Sequence, residues 1–161
     1  MITIGVLTIS DSAAKGERED LSGAAIRSLV AQLPDAVVCR ESIVADEQEQ
    51  IAAFLHAWSD ELRLNLILTT GGTGLAPRDV TPEATRAVIE REAPGIAEAL
   101  RANSLRYTPM AMLSRGIAGA RGRTLIINLP GSPKAVKECL EYVLPVLPHA
   151  INLLTEGPQE H

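Results

Sequence analysis

A glycine-rich loop between Thr70 and Asp79 carries the residues of this sequence that are best suited to chemistry. Gly71, Gly72 and Gly74 fall within four consecutive positions, so the backbone can approach a ligand closely and point its amides at an anion. The loop lacks the lysine and hydroxyl residue of a P-loop, and it does not match a dinucleotide-binding fingerprint. From the glycines alone, a phosphate-binding loop and a tight structural turn are about equally favoured.

Charged residues at the end of this loop, and an aspartate between the second predicted strand and its helix, form a candidate metal site. Arg78 can balance the charge of a phosphate and Asp79 can bind Mg²⁺, although Asp79 also fits a helix entry before a cap at Thr81. Asp46 follows the second predicted strand. It can bind a metal or cap the next helix, with Glu49 completing a capping box, and spacing alone favours the cap.

The elements that must position these residues alternate between apolar strands and amphipathic helices. Strands are predicted at 3–9, 36–44, 64–68, 117–120 and 124–129. This alternation predicts an α/β domain spanning residues 1–161, with a mostly parallel sheet covered on both faces. Ligands of such sheets bind outside the carboxyl ends of the strands. The polar segments Ser10–Gly23, Thr70–Asp79 and Asn128–Ser132, together with Asp46, should therefore share one rim.

Composition excludes several classes of function. Aromatic residues make up 2% of the 161 residues and the formal net charge is -5, so neither a base-stacking platform nor a polyanion-binding surface is expected. Cys39 and Cys139 match no metal-ligand spacing with the histidines. No apolar run reaches the length of a membrane span. We expect a cytoplasmic protein whose partners are neither nucleic acid nor membrane.

Several separated motifs resemble the molybdenum-cofactor family that contains MogA, MoaB and the G domains of gephyrin. The segment 66–85 (LILTTGGTGLAPRDVTPEAT) is similar to the family signature, and the resemblance continues through 89–95, 112–115 and 125–132. Ser10-Asp11-Ser12, with the segment 19–23, resembles the amino-terminal motif. The motifs occur in the family order and cover nearly the whole chain.

The resemblance implies a fold and a reaction. The implied fold is a three-layer α/β/α sandwich with a mostly parallel mixed sheet, one antiparallel strand near 121–123, and a homotrimeric assembly. The implied reaction transfers AMP from ATP to the terminal phosphate of molybdopterin, releases pyrophosphate and requires Mg²⁺. A separate enzyme would then insert molybdenum into the adenylylated pterin.

The resemblance also assigns roles to residues. Asp46 and Asp79 match the two aspartates that the family needs for catalysis, and we expect them to hold Mg²⁺ or its waters. This outweighs the capping interpretation of Asp46. Ser132 can both cap a helix and bind an anion there. The residues expected to bind substrate or nucleotide are Ser10, Asp11, Ser12, Asp20, Thr70, Gly71, Gly72, Thr73, Gly74, Arg78, Ser114, Asn128, Pro130, Gly131 and Ser132.

Three alternatives stay open at this point. MoaB-like members can bind the pterin without transferring AMP, and they depart from the pattern at the first aspartate. Asp46 is present here, which favours the active branch. A scaffolding module resembling the trimeric domain of gephyrin has no support from a linker or second domain. A nucleotide hydrolase would release AMP or ADP without any pterin.

Overall fold

The computed structural model describes residues 1–156, which form one six-stranded sheet flanked by helices. The strands are β1 Ile2–Ile9, β2 Ala36–Val44, β3 Leu66–Thr70, β4 Arg91–Glu92, β5 Ala118–Arg121 and β6 Thr124–Leu129. The helices are α1 Asp11–Ala14, α2 Leu21–Val30, α3 Gln48–His56, α4 Thr81–Val88, α5 Pro94–Leu105, α6 Pro133–Val143 and α7 Leu147–Glu156. A π-helical turn follows α3 at Ala57–Glu61, and 3₁₀ turns occupy Pro109–Leu113 and Leu144–Val146.

The strand order is β2-β1-β3-β6-β5-β4. Strands β2, β1, β3 and β6 run parallel, and β5 is antiparallel to both of its neighbours. The prediction of a mostly parallel mixed sheet with one antiparallel strand is therefore confirmed. That strand joins β6 through a hairpin at Gly122, whose φ of +55° is in the left-handed region that glycine tolerates.

The sequence prediction was wrong between α4 and α5. From the sequence, the helix that begins near Thr81 is expected to continue until Ala93-Pro94-Gly95 breaks it, whereas it ends at Val88 and the two-residue strand β4 follows. Backbone amides of Glu90 and Ala93 donate to carbonyl oxygens of β5 at 2.9 and 2.8 Å. Pairing with the neighbouring strand thus prevails over helical propensity, and two residues are too few to show a strand pattern.

Two apolar clusters lie on opposite faces of the sheet. Ile4 and Val6 of β1 pack with residues of α2, α5, α6 and α7, whereas Leu7 and Ile9 pack with residues of α3 and α4. Successive side chains of a strand point to opposite faces, so one strand contributes to both clusters. The result is the expected three-layer α/β/α arrangement.

The sheet also determines where a ligand can enter. Strand β1 is bordered by β2 on one side and by β3 on the other, and the chain crosses over β1 between β2 and β3. The four parallel strands all end at the same edge. Open α/β sheets bind ligands outside the carboxyl ends, at such a change of direction.

Candidate active site

A cleft of about 460 Å³ lies at the carboxyl ends of the four parallel strands. It collects most of the residues that the sequence assigned to the site, and all four predicted segments contribute to its wall. Among its lining residues are Ser10, Asp20, Asp46, Thr70, Gly71, Gly72, Asp79, Gly131 and Ser132. The expectation that these segments share one rim is met in the structure.

The first two glycines of the loop are required by its geometry. Gly71 has a φ of +99° and Gly72 a φ of +68°. A Cβ atom on Gly71 would collide with the carbonyl oxygen of Ile9, and one on Gly72 would collide with Oγ1 of Thr81. The loop therefore lies directly against the end of β1, where any other residue would be both strained and too large.

Thr81 does not cap α4, contrary to the sequence prediction. The cap position is Val80, which makes no side-chain capping hydrogen bond, and Thr81 is the first helical residue. Its hydroxyl instead donates to the carbonyl oxygen of Gly71 at 2.9 Å. The carbonyl of the tight glycine turn needs a donor, and this hydroxyl supplies it. Pro82 lies in the first turn, where the missing N–H of proline costs no hydrogen bond.

Asp46 does not cap α3 either, so the capping interpretation is wrong. The cap position is Glu47, without a side-chain hydrogen bond, and α3 begins at Gln48. The carboxylate of Asp46 accepts a hydrogen bond from the backbone amide of Asp11 at 2.9 Å. In return, the amide of Asp46 donates to the carboxylate of Asp11 at 3.0 Å. Asp46 is thus fixed against the loop after β1.

Arg78 lies at the centre of this cluster of carboxylates. Its guanidinium donates to both carboxylate oxygens of Asp11 at 3.0 and 2.9 Å, and to Glu47 at 3.0 Å. The hydrogen bond from Arg78 lowers the pKa of Asp11. Burial raises the pKa of Asp46, and the nearby negative charges of Asp11 and Asp79 raise it further. A cation bound at Asp46 would relieve this unfavourable charge.

Asp79 lies at the end of the glycine loop. Its Oδ2 accepts a hydrogen bond from the amide of Ala76 at 3.0 Å. A Cβ atom on Gly74 would lie 2.9 Å from Asp79 Oδ2, and one on Gly72 would lie 3.1 Å from Asp46 Oδ1. The two carboxylates therefore border one loop. Residues 1–156 contain no cluster of three or more histidine, cysteine or acidic side chains that could hold a metal ion by themselves.

Three of the predicted contact residues cap helices at the edge of the cleft. Each side chain accepts a hydrogen bond from the backbone amide three positions later in the chain. The pairs are Ser10 with Ala13 in α1, Asp20 with Gly23 in α2, and Ser132 with Ala135 in α6. The capping interpretation of Ser132 is confirmed. Each cap satisfies one amide of its helix, and the positive end of a helix dipole favours an anion.

Other predicted contacts brace the loops internally. Thr70 donates through its hydroxyl to the carbonyl oxygen of Pro130 at 2.6 Å, which joins β3 to the loop after β6. The buried side-chain amide of Asn128 donates to the hydroxyls of Thr69 and Thr85 at 3.0 and 2.9 Å. Its oxygen accepts from the amide of Ile117 at 3.1 Å. The side chain of Asn128 is therefore used within the fold.

Sequence reasoning missed a second hollow, of about 280 Å³, behind the glycine loop. Apolar side chains, among them Leu100, Met110 and Leu113, form much of its wall. Of the predicted contacts, it is lined by Thr73, Gly74, Ser114, Asn128 and Pro130. Gly71, Gly72 and Gly131 line the cleft, whereas other residues of the same two loops line the hollow. The glycine loop and the loop after β6 therefore separate the hollow from the cleft. The cluster of exposed methionine and leucine side chains at 110–113 was the available signal.

A larger hollow, of about 1080 Å³, lies at the amino ends of the strands. Ile2, Asn65 and Thr124 are among its lining residues, and none of the predicted site residues is. Because it lies away from the glycine loop and both candidate aspartates, we assign the chemistry to the smaller cleft despite its lesser volume.

Comparison with known proteins identifies the family of the chain. Residues 5–149 match the family model described as a probable molybdopterin binding domain. The molybdopterin adenylyltransferase of Helicobacter pylori strain J99 is 49% identical over 154 residues, which cover 95% of this chain and 88% of the relative. That of Escherichia coli K12 is 41% identical over 170 residues, covering 98% and 87%.

A solved structure is similarly close. The molybdopterin biosynthesis enzyme MoaB from Thermus thermophilus is 56% identical and superposes with a TM-score of 0.92, covering 99% of this chain and all of that one. The match over residues 5–149 and the similarity to solved structures show that the chain belongs to the molybdopterin-binding domain family of the MogA and MoaB proteins.

Proposed function

We propose that this protein is a molybdopterin adenylyltransferase, which transfers AMP from ATP to the terminal phosphate of molybdopterin and releases pyrophosphate. The observation that carries the proposal is the placement of Asp46 and Asp79 on either side of one glycine loop, at the carboxyl ends of the parallel strands. The names of the bacterial relatives support the same activity.

The reaction brings two polyanions together. A phosphate oxygen of molybdopterin forms a bond to the α-phosphorus of ATP, the bond to the bridging oxygen breaks, and pyrophosphate leaves with that electron pair. Amides of the glycine loop and the N-terminal end of α6 after Ser132 can bind the phosphates. Arg78 is engaged by Asp11 and Glu47, so we assign it to holding the loops rather than to the substrate.

The two aspartates fit Mg²⁺ as a cofactor. This ion is usually held by one or two carboxylates together with substrate phosphates, rather than by a complete cage of protein ligands. Asp46 and Asp79 provide that number of carboxylates beside the loop. When bound, Mg²⁺ would offset the charge of the phosphates and orient their oxygens. Burial and the nearby charges of Asp11 and Asp79 raise the pKa of Asp46, and a bound cation would favour its ionised form.

The apolar hollow is the proposed site of the pterin. A pterin is flat, with apolar faces and polar edges, and the hollow offers Leu100 and Leu113 to the faces and Arg101 and Ser104 to the edges. The terminal phosphate of the ligand would then reach across the loops toward Asp79. Ser104→Trp, which fills the hollow, should abolish pterin binding measured by fluorescence quenching and leave ATP binding intact.

The chief alternative is a family member that binds the pterin without transferring AMP. The solved relative from Thermus thermophilus carries the name MoaB, so the two branches must be separated by a residue rather than by overall similarity. Asp46 favours transfer because it is present and is held by two hydrogen bonds to Asp11. A hydrolase or a scaffold has no comparable observation in its favour.

One incubation separates these functions. The protein is mixed with ATP, Mg²⁺ and molybdopterin, and the products are separated by chromatography and identified by mass. Transfer predicts a pterin–AMP adduct and one pyrophosphate per adduct. Pterin binding without an adduct would contradict the proposal in favour of the inactive branch, and AMP or ADP formed without pterin would indicate a hydrolase.

The assembly and setting of the enzyme are further parts of the proposal. We propose a homotrimer of single-domain 17.2 kDa protomers, in which the exposed Tyr107, Met110 and Met112 contact a neighbour. Sedimentation equilibrium tests the trimer.

We also propose a cytoplasmic location, with which the free thiols of Cys39 and Cys139 agree. The adenylylated pterin would then be handed over to a metal-inserting enzyme. No helix within residues 1–156 is long and apolar enough to cross a membrane.

A further inference from the structure

Arg115 binds the glycine loop at its middle and at its end. Its Nε donates to the carbonyl oxygen of Gly74 at 2.8 Å, and its Nη2 donates to the carbonyl oxygen of Asp79 at 2.7 Å. Its backbone amide also donates to the carbonyl oxygen of Thr73 at 2.8 Å. One residue from a separate part of the chain therefore fixes the start and the end of the segment that presents Asp79.

Glu83 holds the guanidinium of Arg115 in place. Nη1 and Nη2 of Arg115 donate to its two carboxylate oxygens at 2.6 and 3.2 Å. Because Glu83 lies in the first turn of α4, this ion pair ties the loop to the helix that follows it. Four hydrogen bonds thus use most of the five N–H donors of the guanidinium, so Arg115 is occupied by the protein rather than available to a substrate.

A second arginine links the same residue to the apolar hollow. Arg101, which lines the hollow, donates to the carbonyl oxygens of Ser114 and Gly116 at 3.4 and 2.7 Å. These are the two neighbours of Arg115 in the chain, and both line the hollow themselves. The backbone on either side of Arg115 therefore forms part of the wall of the apolar hollow. The side chain of Arg115 fixes the glycine loop that borders the cleft.

We infer that Arg115 is the positioning residue of Asp79, and that it connects the wall of the apolar hollow to the loop that carries this carboxylate. The inference rests on the proposed adenylyltransferase function. Arg115 acts through the backbone of Gly74 and Asp79 and touches no reacting atom. A planar fork of donors is needed, because an ammonium group cannot reach two carbonyls and a carboxylate at once.

A matched arginine provides the control for a merely structural role. Arg121 donates to both carboxylate oxygens of Asp60 at 2.9 Å and to the carbonyl oxygen of Val88 at 2.9 Å. It therefore makes the same kind of clamp, between a carboxylate and a backbone carbonyl, away from the glycine loop. Arg115→Lys and Arg121→Lys should cost similar amounts of stability, measured as the change in Tm.

The two variants should differ in catalysis. We expect Arg115→Lys to lower kcat for pterin–AMP formation by about 10- to 100-fold, because small displacements of a catalytic group have effects of this size, while KM for ATP changes by less than about threefold. Arg121→Lys should keep the wild-type kcat. Equal kcat values for the two variants would overturn the inference. If Arg115→Lys does not fold, Glu83→Gln, which loosens the guanidinium, should lower kcat relative to Arg121→Lys.

Amide hydrogen exchange separates failure of this inference from failure of the proposed function. Exchange of the amides at 73–80 should be faster in Arg115→Lys than in Arg121→Lys or the wild type, whatever reaction the protein catalyses. If the wild type forms no pterin–AMP, the adenylyltransferase proposal fails and the exchange result alone decides the role of Arg115. Unchanged exchange at 73–80 in Arg115→Lys would contradict that role.

Discussion

Asp46 and Asp79 border the same glycine loop but are held in different ways. The carboxylate of Asp46 accepts a hydrogen bond from the backbone amide of Asp11, the first residue of α1, and burial raises the pKa of Asp46. The carboxylate of Asp79 bonds to Ala76 within its own loop, and Arg115 holds the backbone of that loop. One carboxylate is therefore fixed directly and the other through its main chain. The two halves of the site should respond to different substitutions.

The glycine loop is common to both halves, so its disruption should have the largest effect. In Gly71→Ala the new Cβ meets the carbonyl oxygen of Ile9 at a φ of +99°. We expect a loss of about 2–5 kcal/mol in the free energy of unfolding, together with the loss of AMP transfer. Gly122→Ala is the control, because it has a φ of +55° with open space around it, and it should cost only about 1–2 kcal/mol. Equal losses in urea denaturation would show that the loop is not tightly packed.

Removal of Asp11 tests the half of the site at Asp46. Asp11→Ala deletes the acceptor for the amide of Asp46 and the partner of Arg78. We expect kcat to fall by about 10-fold or more, with AMP transfer measured at saturating ATP. Glu92→Ala breaks a surface ion pair with Arg86 and serves as the control, which should keep the wild-type rate. If Asp11→Ala transfers AMP as fast as Glu92→Ala, Asp46 does not depend on its neighbour for position.

The smallest effect concerns the pH dependence of stability. Because the folded-state pKa of Asp46 is raised above 3.8, its ionisation destabilises the fold as pH rises through and above that value. Without Mg²⁺, Asp46→Asn should therefore raise the Tm at pH 7.5, and the gain should shrink as pH falls toward 4. The ionisation of Asp60 has the opposite effect on stability, because the hydrogen bond from Arg121 lowers the pKa of Asp60. Asp60→Asn should lower the Tm at pH 7.5, and the difference should fade as pH drops below 3.8. A loss of stability in Asp46→Asn at pH 7.5 would contradict the stated cause.

The sequence predicted the architecture well because its strands are short, apolar and separated by clear helices. Continuous apolar runs predicted β1, β3 and β6 as buried strands, and the polar segments after them predicted the position of the cleft. Strand β4 was not predicted, because its two residues, Arg91 and Glu92, are exposed and form a strand only by pairing with β5 in the folded chain. Local pattern carries no information about such pairing.

The roles of single polar residues were harder to predict. Asp46 and Thr81 both have the sequence context of helix caps, yet each bonds to a loop that is separate from its own helix. Capping chemistry is local, whereas these partners exist only after the sheet has brought the loops together. The same reason explains why Arg115 was missed, since the carbonyl oxygens that accept its hydrogen bonds, at Thr73, Gly74 and Asp79, lie far from it in the sequence.

Joint removal of the two carboxylates tests the central claim most directly. Pterin–AMP formation is measured for Asp46→Asn, Asp79→Asn and the double variant, with Asp60→Asn as a carboxylate control away from the cleft. If the two aspartates act as one unit, each single variant should lose about 100-fold or more in kcat, and the double variant should lose little beyond that. Asp60→Asn should retain the wild-type rate. Unchanged transfer in either single variant would contradict the assignment of this cleft as the catalytic site.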